Sequence, residues 1–404
     1  MYFKREIEQK ILSVHQQYPS IVLAGARQVG KTTLLKHCFP NHNFVSLDLP
    51  SLAEMAESEP NAFLKMHPAP LIIDEVQYAP KLFRNLKVAI DNDRHKMGQF
   101  ILTGSQKFTL MKEVSESLAG RAAILSLENL SAYELTLDLN STWPQSLARG
   151  FYPELWRQPE MDHIQFYASY VASYLERDVR QILNVNSLRD FERFLRACAA
   201  RSGQMLNMSE LGRDVGIKSQ TAKDWISVLE ASNQISLLEP YFENVGKRIV
   251  KSPKLYLNDP GLLCFLLGID AKNLMSSPLI GPVWETFVFA EFRKAALAST
   301  HPSSLWYYRD DQGREVDFIR MHQGQLDLFE VKWSETPDQK WFDRLSEVRH
   351  ILKKSKTQKT GNAYILSRAE YSNTKNDIQC LHAVSYFQQQ RFVDNNSSEV
   401  TAGD

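Results

Sequence analysis

The sequence predicts an α/β protein of three modules, and three observations predict it. Residues 21–33 read as a short apolar strand, a glycine-bracketed loop and the start of a helix. Apolar strand-like runs at 44–48, 70–77 and 99–106 then alternate with helical segments, the order of a parallel sheet. Residues 305–332 hold three further strands with acidic residues at set places, which marks a second α/β module. Gly150 and Pro153 punctuate the first boundary. The expected division is 1–150, 151–270 and 271–390, with a polar tail at 391–404 expected to be disordered.

The loop after the first strand fits G-x-x-x-x-G-K-[ST] at Gly25, Gly30, Lys31 and Thr32. Gly25 and Gly30 let the backbone turn tightly and aim its N–H groups at an anion. The stretch Gly25, Ala26, Arg27, Gln28, Val29, Gly30, Lys31, Thr32 and Thr33 is therefore the expected phosphate cradle. Lys31 can reach the β- and γ-phosphates of a nucleotide, and Thr32 offers a hydroxyl to Mg²⁺. The helix starting there adds free N–H groups and its positive dipole end. The bland alternative is a glycine turn with an exposed lysine.

A phosphate loop needs a partner acid. The apolar run Leu71-Ile72-Ile73 ends in Asp74-Glu75, as a buried parallel strand with carboxylates at its C-terminal edge would. Asp74 is expected to orient the Mg²⁺ shell, and Glu75 to polarise the attacking water as a general base. Taken alone, Asp-Glu is also a common strand-end turn. The next strand ends in Thr103, Ser105 and Gln106, any of which could sense the γ-phosphate, with Ser105 preferred. The alternative is that they cap a turn. Arg121, before the strand at 123–127, is a candidate arginine finger acting on a neighbouring copy; a solvated arginine or a salt bridge is its alternative.

These stretches together resemble a prokaryotic family of AAA-like ATPases whose ATPase module precedes a C-terminal region catalogued as DUF4143. The resemblance implies a P-loop NTPase fold of the additional-strand class, with ATP binding and hydrolysis. It carries the family's Walker roles to Lys31, Thr32, Asp74 and Glu75. Gln106 departs from the small polar residue expected there.

In the middle module, the aromatics of 167–179 sit at helical spacing and read as packing. Glu176, Arg177 and Asp178 look like part of the family's signature and are expected to form a polar network between domains, with an approach of Arg177 to a nucleotide as the alternative. Residues 208–230 read as a short helix, a glycine turn at Gly216 and a second helix capped by Ser219, a helix-turn-helix with Leu211, Val215, Ala222, Ile226 and Leu229 inside. The strand-like stretch 235–257, with Lys247, Arg248, Lys251 and Lys254, is a candidate basic wing. DNA contact through Lys218, Ser219, Gln220 and Lys223 is one reading of this winged-helix pattern, and protein contact is the other.

In the last module, a helix carries Glu285, one strand carries Asp317, and the next ends in Glu330-Val331-Lys332. Glu330 and Lys332 are two apart and project from one strand face. Carboxylates converging in this way can hold Mg²⁺, and a lysine beside them can orient a water. The grouping resembles the PD-(D/E)xK, restriction-endonuclease-like fold, with the alternative of a nuclease-like fold that only packs or binds.

At 404 residues the chain has room for two or three domains, and its 43% hydrophobic and 23% charged residues suit a globular protein. A formal net charge of zero demands no nucleic-acid or membrane partner, so any basic surface is local. No apolar run is long enough to span a bilayer, and the mixed-charge start is not a signal peptide. Cys38, Cys198, Cys264 and Cys380 are far apart, as free thiols of a cytoplasmic protein would be. The expectation is Mg²⁺-dependent ATP hydrolysis driving a conformational change on or near DNA, in a possible homo-oligomer. The alternatives are an ATP-regulated, metal-dependent nuclease and a nucleotide-switched interaction protein without turnover.

Overall fold

The computed structural model describes residues 2–105, 107–175, 179, 188–242, 252–301, 303–354 and 358–400. Gln106, the group Glu176, Arg177 and Asp178, and the wing residues Lys247, Arg248 and Lys251 lie outside the described residues. Two compact units are present. The first comprises Met1–Leu130, Tyr152–Arg157 and Ala231–Gln234; the second comprises Ser131–Phe151, Gln158–Glu230 and Ile235–Asp404.

The first unit is built on five parallel strands: β1 (Ser20–Ala24), β2 (Asn43–Ser46), β3 (Leu71–Asp74), β4 (Phe100–Gly104) and β5 (Ala122–Ser126). Their order is β2-β3-β4-β1-β5, so β4 is inserted between the strand before the glycine loop and the strand ending in Asp74. Every residue of β1, β3 and β4 is buried, which is why these strands read as unbroken apolar runs. The edge strands β2 and β5 are partly exposed, and their sequence signal is correspondingly weaker. Helix Leu82–Asn92 lays Leu82, Phe83, Leu86 and Ile90 against Val22, Ile73 and Leu102 at helical spacing. Because the strands are parallel, their C-terminal ends share one edge, with Ala24 beside Gly104 and Ser46 beside Asp74.

The second unit begins with helices. Helix Leu188–Ala199 buries Phe191, Phe194, Leu195 and Cys198. Asn207 caps helix Met208–Val215 by accepting from the N–H groups of Ser209 and Glu210, and Gly216, at φ 83°, ends it. Helix Ser219–Ala231 follows. A Cβ on Gly212 would lie 2.9 Å from the Ile217 carbonyl oxygen, so the first helix closes tightly on the turn. Leu211, Ala222, Ile226 and Leu229 are buried as expected, and Val215 is half-buried. Trp225 joins them, its ring 5.0 Å from Phe191 and 5.2 Å from Phe194. Strands β6 (Gln204–Met205), β7 (Ile235–Leu238) and β8 (Lys254–Leu257) form an antiparallel sheet in the order β6-β8-β7.

A six-stranded sheet completes the unit: β9 (Ser304–Arg309), β10 (Glu315–His322), β11 (Gln325–Val331), β12 (Lys359–Ser367), β13 (Asn373–Lys375) and β14 (Ile378–His382). The order is β13-β14-β12-β11-β10-β9. Helix Gln339–Lys354 packs Phe342, Leu345 and Val348 on Val316, Ile319, Leu328 and Ile365. Where the sequence separates a helical module from a second α/β module, the structure has a single unit. Backbone bonds from Tyr241 N to Tyr307 O (2.7 Å) and from Tyr307 N to Glu239 O (3.1 Å) join them, and Tyr256 stacks on Phe289 at 4.2 Å.

Helix Ala383–Val400 runs into the stretch 391–404, and residues 401–404 lie outside the described residues. Ala383, Val384, Tyr386 and Phe387 are buried and nucleate the helix, after which each further turn costs little.

Candidate functional site

The glycine loop emerges from β1 into helix Lys31–Cys38. A Cβ on Gly25 would sit 2.4 Å from the Leu127 carbonyl oxygen, and that backbone cannot yield as a side chain can. Gly30 holds φ 94° and Gln28 holds φ 63°, so the loop curls through left-handed turns, which present successive N–H groups to one side. The Lys31 amine donates to the carbonyl oxygens of Gly25 (3.0 Å) and Ala26 (2.9 Å), which folds the buried lysine back over the loop. Ala26, Arg27, Val29 and Thr33 lie on this same turn and helix start.

The acid strand meets the loop directly. Thr32 Oγ1 donates to Asp74 Oδ2 at 2.8 Å, and Thr103 at the end of β4 donates to Asp74 Oδ1. Glu75 turns at φ 55°, and the single 3₁₀ turn Val76–Tyr78 follows. Its Oε2 accepts from Ser105 Oγ at 3.0 Å, from Ser105 N at 3.3 Å and from Gln77 Nε2. Burial by itself would raise the Glu75 carboxyl. The Gln77 donor, the charges of Lys31 and Arg27, and the Ser105 donor overcome that, so it lies below its ordinary value. The structure thus brings together Lys31, Thr32, Asp74, Glu75 and Ser105, all named from the sequence. Ser105 engages Glu75 in this state, and Thr103 serves Asp74.

Two contributors were missed. Gln77 lies within the stretch 70–77 that carries the family resemblance, but the sequence gives it no role of its own. Arg5, far upstream, is buried and donates to the carbonyl oxygens of Val29 (2.9 Å), Glu128 (2.7 Å) and Asn129 (3.3 Å), tying the end of the loop to the chain after β5. No local pattern marks Arg5, since its partners are backbone atoms up to 124 residues away. Arg121 makes a two-pronged pair with Asp91, 2.7 Å and 2.9 Å, and donates to Ala119 O at 3.1 Å. The salt-bridge alternative is the one formed within this chain.

In the second unit, Glu285 on helix Ile280–Ala298, Asp317 on β10, Glu330 on β11 and Lys332 just after it converge. Lys332 Nζ lies 2.6 Å from Glu330 and 3.7 Å from Asp317. Asp317 Oδ2 also accepts from Val331 N at 2.7 Å, and Tyr256 OH donates to Glu285 at 2.5 Å. Lys254, expected on an exposed basic wing, is instead buried here, 2.6 Å from Glu315, 3.5 Å from Glu285 and 3.9 Å from Asp317. It opens β8 and is drawn in because three carboxylates need a cation. Burial raises Glu285 and Glu330 above the usual carboxylate range, and the Asp317 charge adds to it, against the pull of the lysines. Burial would lower Lys254 and Lys332, but the surrounding carboxylates outweigh it and raise both.

The cluster opens on a cleft of about 580 Å³ whose lining includes Arg314, Lys332, Lys340 and Arg344. Among the described residues no group of three or more His, Cys, Asp or Glu is arranged to hold a metal ion. The carboxylates of Glu285, Asp317 and Glu330 meet two ammonium groups, those of Lys254 and Lys332. The cysteines are free, with Cys198, Cys264 and Cys380 buried and Cys38 half-buried. Among the described residues no helix is long and apolar enough to cross a membrane.

Comparison with known proteins agrees with this architecture. Residues 17–136 match the AAA domain family, residues 140–273 a domain of unknown function, DUF8612, and residues 280–386 a second, DUF4143. The first unit therefore carries a parallel-sheet, AAA-type P-loop ATPase-like domain. Among solved structures, the Walker-type ATPase PABY2304 of Pyrococcus abyssi is 17% identical, with 66% of this chain and 96% of that chain covered at a TM-score of 0.43. A RuvB variant of Thermotoga maritima is 17% identical, covering 58% and 89% at a TM-score of 0.28. The uncharacterized protein Rv2008c of Mycobacterium tuberculosis and its counterpart Mb2031c of Mycobacterium bovis are each 30% identical over 337 residues, 83% of this chain and 75% of theirs. With that identity over that span, the chain belongs to one family with these mycobacterial proteins, and within it carries an AAA domain followed by a DUF4143 domain.

Proposed function

We propose that the protein binds and hydrolyses ATP with Mg²⁺ at the glycine loop. The observation that carries this is the 2.8 Å bond between Thr32 and Asp74, with the Lys31 amine one residue before the hydroxyl and Glu75 one residue after the carboxylate. The residues fit the ligand: Gly25 lets the loop pass against the Leu127 carbonyl where any side chain would clash, and a hydroxyl and a carboxylate already face each other where a hard cation prefers oxygen. Thr32 and Asp74 would hold Mg²⁺, which when bound neutralises charge on the β- and γ-phosphate oxygens. Lys31 exchanges the carbonyls of Gly25 and Ala26 for phosphate oxygens. Glu75 takes a proton from water as its oxygen bonds the γ-phosphorus, and the bond to the bridging oxygen breaks to leave ADP and phosphate. Replacing Lys31 by Ala should abolish hydrolysis in a phosphate-release assay; wild-type turnover in that variant refutes the proposal.

The three modules at 1–150, 151–270 and 271–390 remain our functional division. Turnover would move the C-terminal half, on or near DNA. We read the helix–glycine turn–helix with β6-β8-β7 as a winged helix. Lys218, Ser219, Gln220 and Lys223 are all exposed on it, although Gln220 donates to Asp224 at 2.9 Å. Anisotropy with a labelled duplex tests this: Lys218→Ala should weaken binding and lower its salt slope by about one.

Arg121 acting on a neighbouring copy would first have to leave Asp91, so activity that rises with protein concentration, and is lost in Arg121→Ala, is the signature of that role. A second reading, a nuclease of the PD-(D/E)xK type, is favoured by the convergence of Glu285, Asp317, Glu330 and Lys332 and opposed by the placement of Lys254 among them. Plasmid nicking that vanishes in Glu330→Ala would support it.

A further inference from the structure

We infer that Gln77 is the positioning residue for Glu75, holding one carboxylate oxygen so that the other faces the water to be activated. This rests on the ATPase reading above and deepens it.

Three features of the structure support the role. Glu75 leaves β3 at φ 55°, and the 3₁₀ turn that follows folds the Gln77 side chain back beneath it, with Tyr78 N donating to Glu75 O at 3.2 Å. Among the described residues, the three donors to the carboxylate, Gln77 Nε2, Ser105 Oγ and Ser105 N, fall on Oε2. Oε1 receives none of them and is the oxygen left to accept a proton. The amide is also held at its own expense. Gln77 is buried, and its Oε1 has no hydrogen-bond partner among the described residues. An unmet buried acceptor is unfavourable, and it persists where the other end of the same amide makes a stronger, charge-assisted bond. Turning the amide over would place its oxygen against the Glu75 carboxylate, so the orientation is dictated by that charge.

Gly104 completes the arrangement. A Cβ there would lie 2.4 Å from Gln77 Oε1, so the amide occupies space that exists only because residue 104 has no side chain. Lys31 and Arg27 face the same carboxylate from the loop side and supply charge, but neither donates a hydrogen bond to it among the contacts described for Glu75. Gln77 and Ser105 grip the carboxylate from the ends of the adjacent strands β3 and β4.

The test is steady-state ATP hydrolysis with nucleotide titration on the full chain. Gln77→Leu should lower kcat by at least about tenfold, the scale of a misplaced catalytic group, with the KM and Kd for ATP unchanged. Gly104→Ala should do the same without touching either partner, because the flexible amide moves away from the new methyl; it serves if Gln77→Leu folds poorly. In a Glu75→Gln background neither substitution should lower the residual rate further, since a positioning residue has nothing left to position. A kcat within twofold of wild type for both variants, or an equal fold loss in the Glu75→Gln background, overturns the inference. If Glu75→Gln itself turns over at the wild-type rate, the reading of Glu75 as base falls and this role falls with it. If Glu75→Gln is inactive while Gln77→Leu is unimpaired, only the role of Gln77 falls.

Discussion

Removing the Lys254 ammonium is the sharpest perturbation of the second unit. The amine is 2.6 Å from Glu315, 3.5 Å from Glu285 and 3.9 Å from Asp317, and almost no solvent reaches it. At an effective dielectric of about 20, each contact at such distances is worth roughly 4–6 kcal/mol before desolvation is subtracted. Desolvation cancels much of that, but Lys254→Met removes the cation and leaves the carboxylates facing one another, which costs about 3–5 kcal/mol for a buried pair broken from one side.

Urea unfolding followed by tryptophan fluorescence reads this unit, because of the seven tryptophans only Trp156 belongs to the other. The midpoint should fall with an unchanged slope. The loss should also depend on pH. Burial and the Asp317 charge already hold the Glu285 carboxyl above its unfolded value and Lys254 pulls it down, so without the lysine it rises further; the penalty is full above the raised value and shrinks as pH falls towards the ordinary carboxylate range. A loss below about 1 kcal/mol, or one that is the same at acid and alkaline pH, would refute the account of Lys254 as the counter-ion of this cluster.

Other outcomes follow from the same geometry. Gly25→Ala, whose methyl meets the Leu127 carbonyl, should abolish nucleotide binding in a calorimetric titration and lower stability by roughly 1–3 kcal/mol. Arg5→Ala should leave three carbonyls without their donor, lowering the thermal midpoint by an amount equivalent to about 2 kcal/mol and weakening ATP binding through the loosened loop. Burial, helped by the nearby Arg368 charge, pushes His382 down to about 4. The folded state therefore resists the proton that the unfolded chain takes up below about 6.5, and stability should drop by up to about 3 kcal/mol as pH falls from there to 4. A His382→Phe variant with an equally steep acid limb in a denaturation series would contradict that assignment.

Local grammar carried much of this protein. Gly25, Gly30, Lys31 and Thr32 are consecutive enough for one loop to declare them, and β1, β3 and β4 are apolar throughout because both faces of a central parallel strand are covered. Asp74 could be paired with Thr32 from sequence because parallel strands deliver their C-terminal ends to one edge. The sequence also named Glu285, Asp317, Glu330 and Lys332, but not the charge that balances them. Lys254 lies 31 residues before Glu285 and looked like part of an exposed wing; only packing shows that it is an interior cation.

Ser105 illustrates the same limit, since a hydroxyl at a strand end can face a phosphate or a neighbouring carboxylate, and only the fold brings it to 3.0 Å from Glu75. Arg5 left no pattern in the sequence, and Gln77, which lies within the stretch that carries the family resemblance, was given no role of its own, because its carboxylate partner is reached through a turn. Backbone chemistry with a fixed spacing is written along the chain, whereas the pairing of buried charges is settled by which side chains share one low-dielectric space, and that is a property of the folded unit alone.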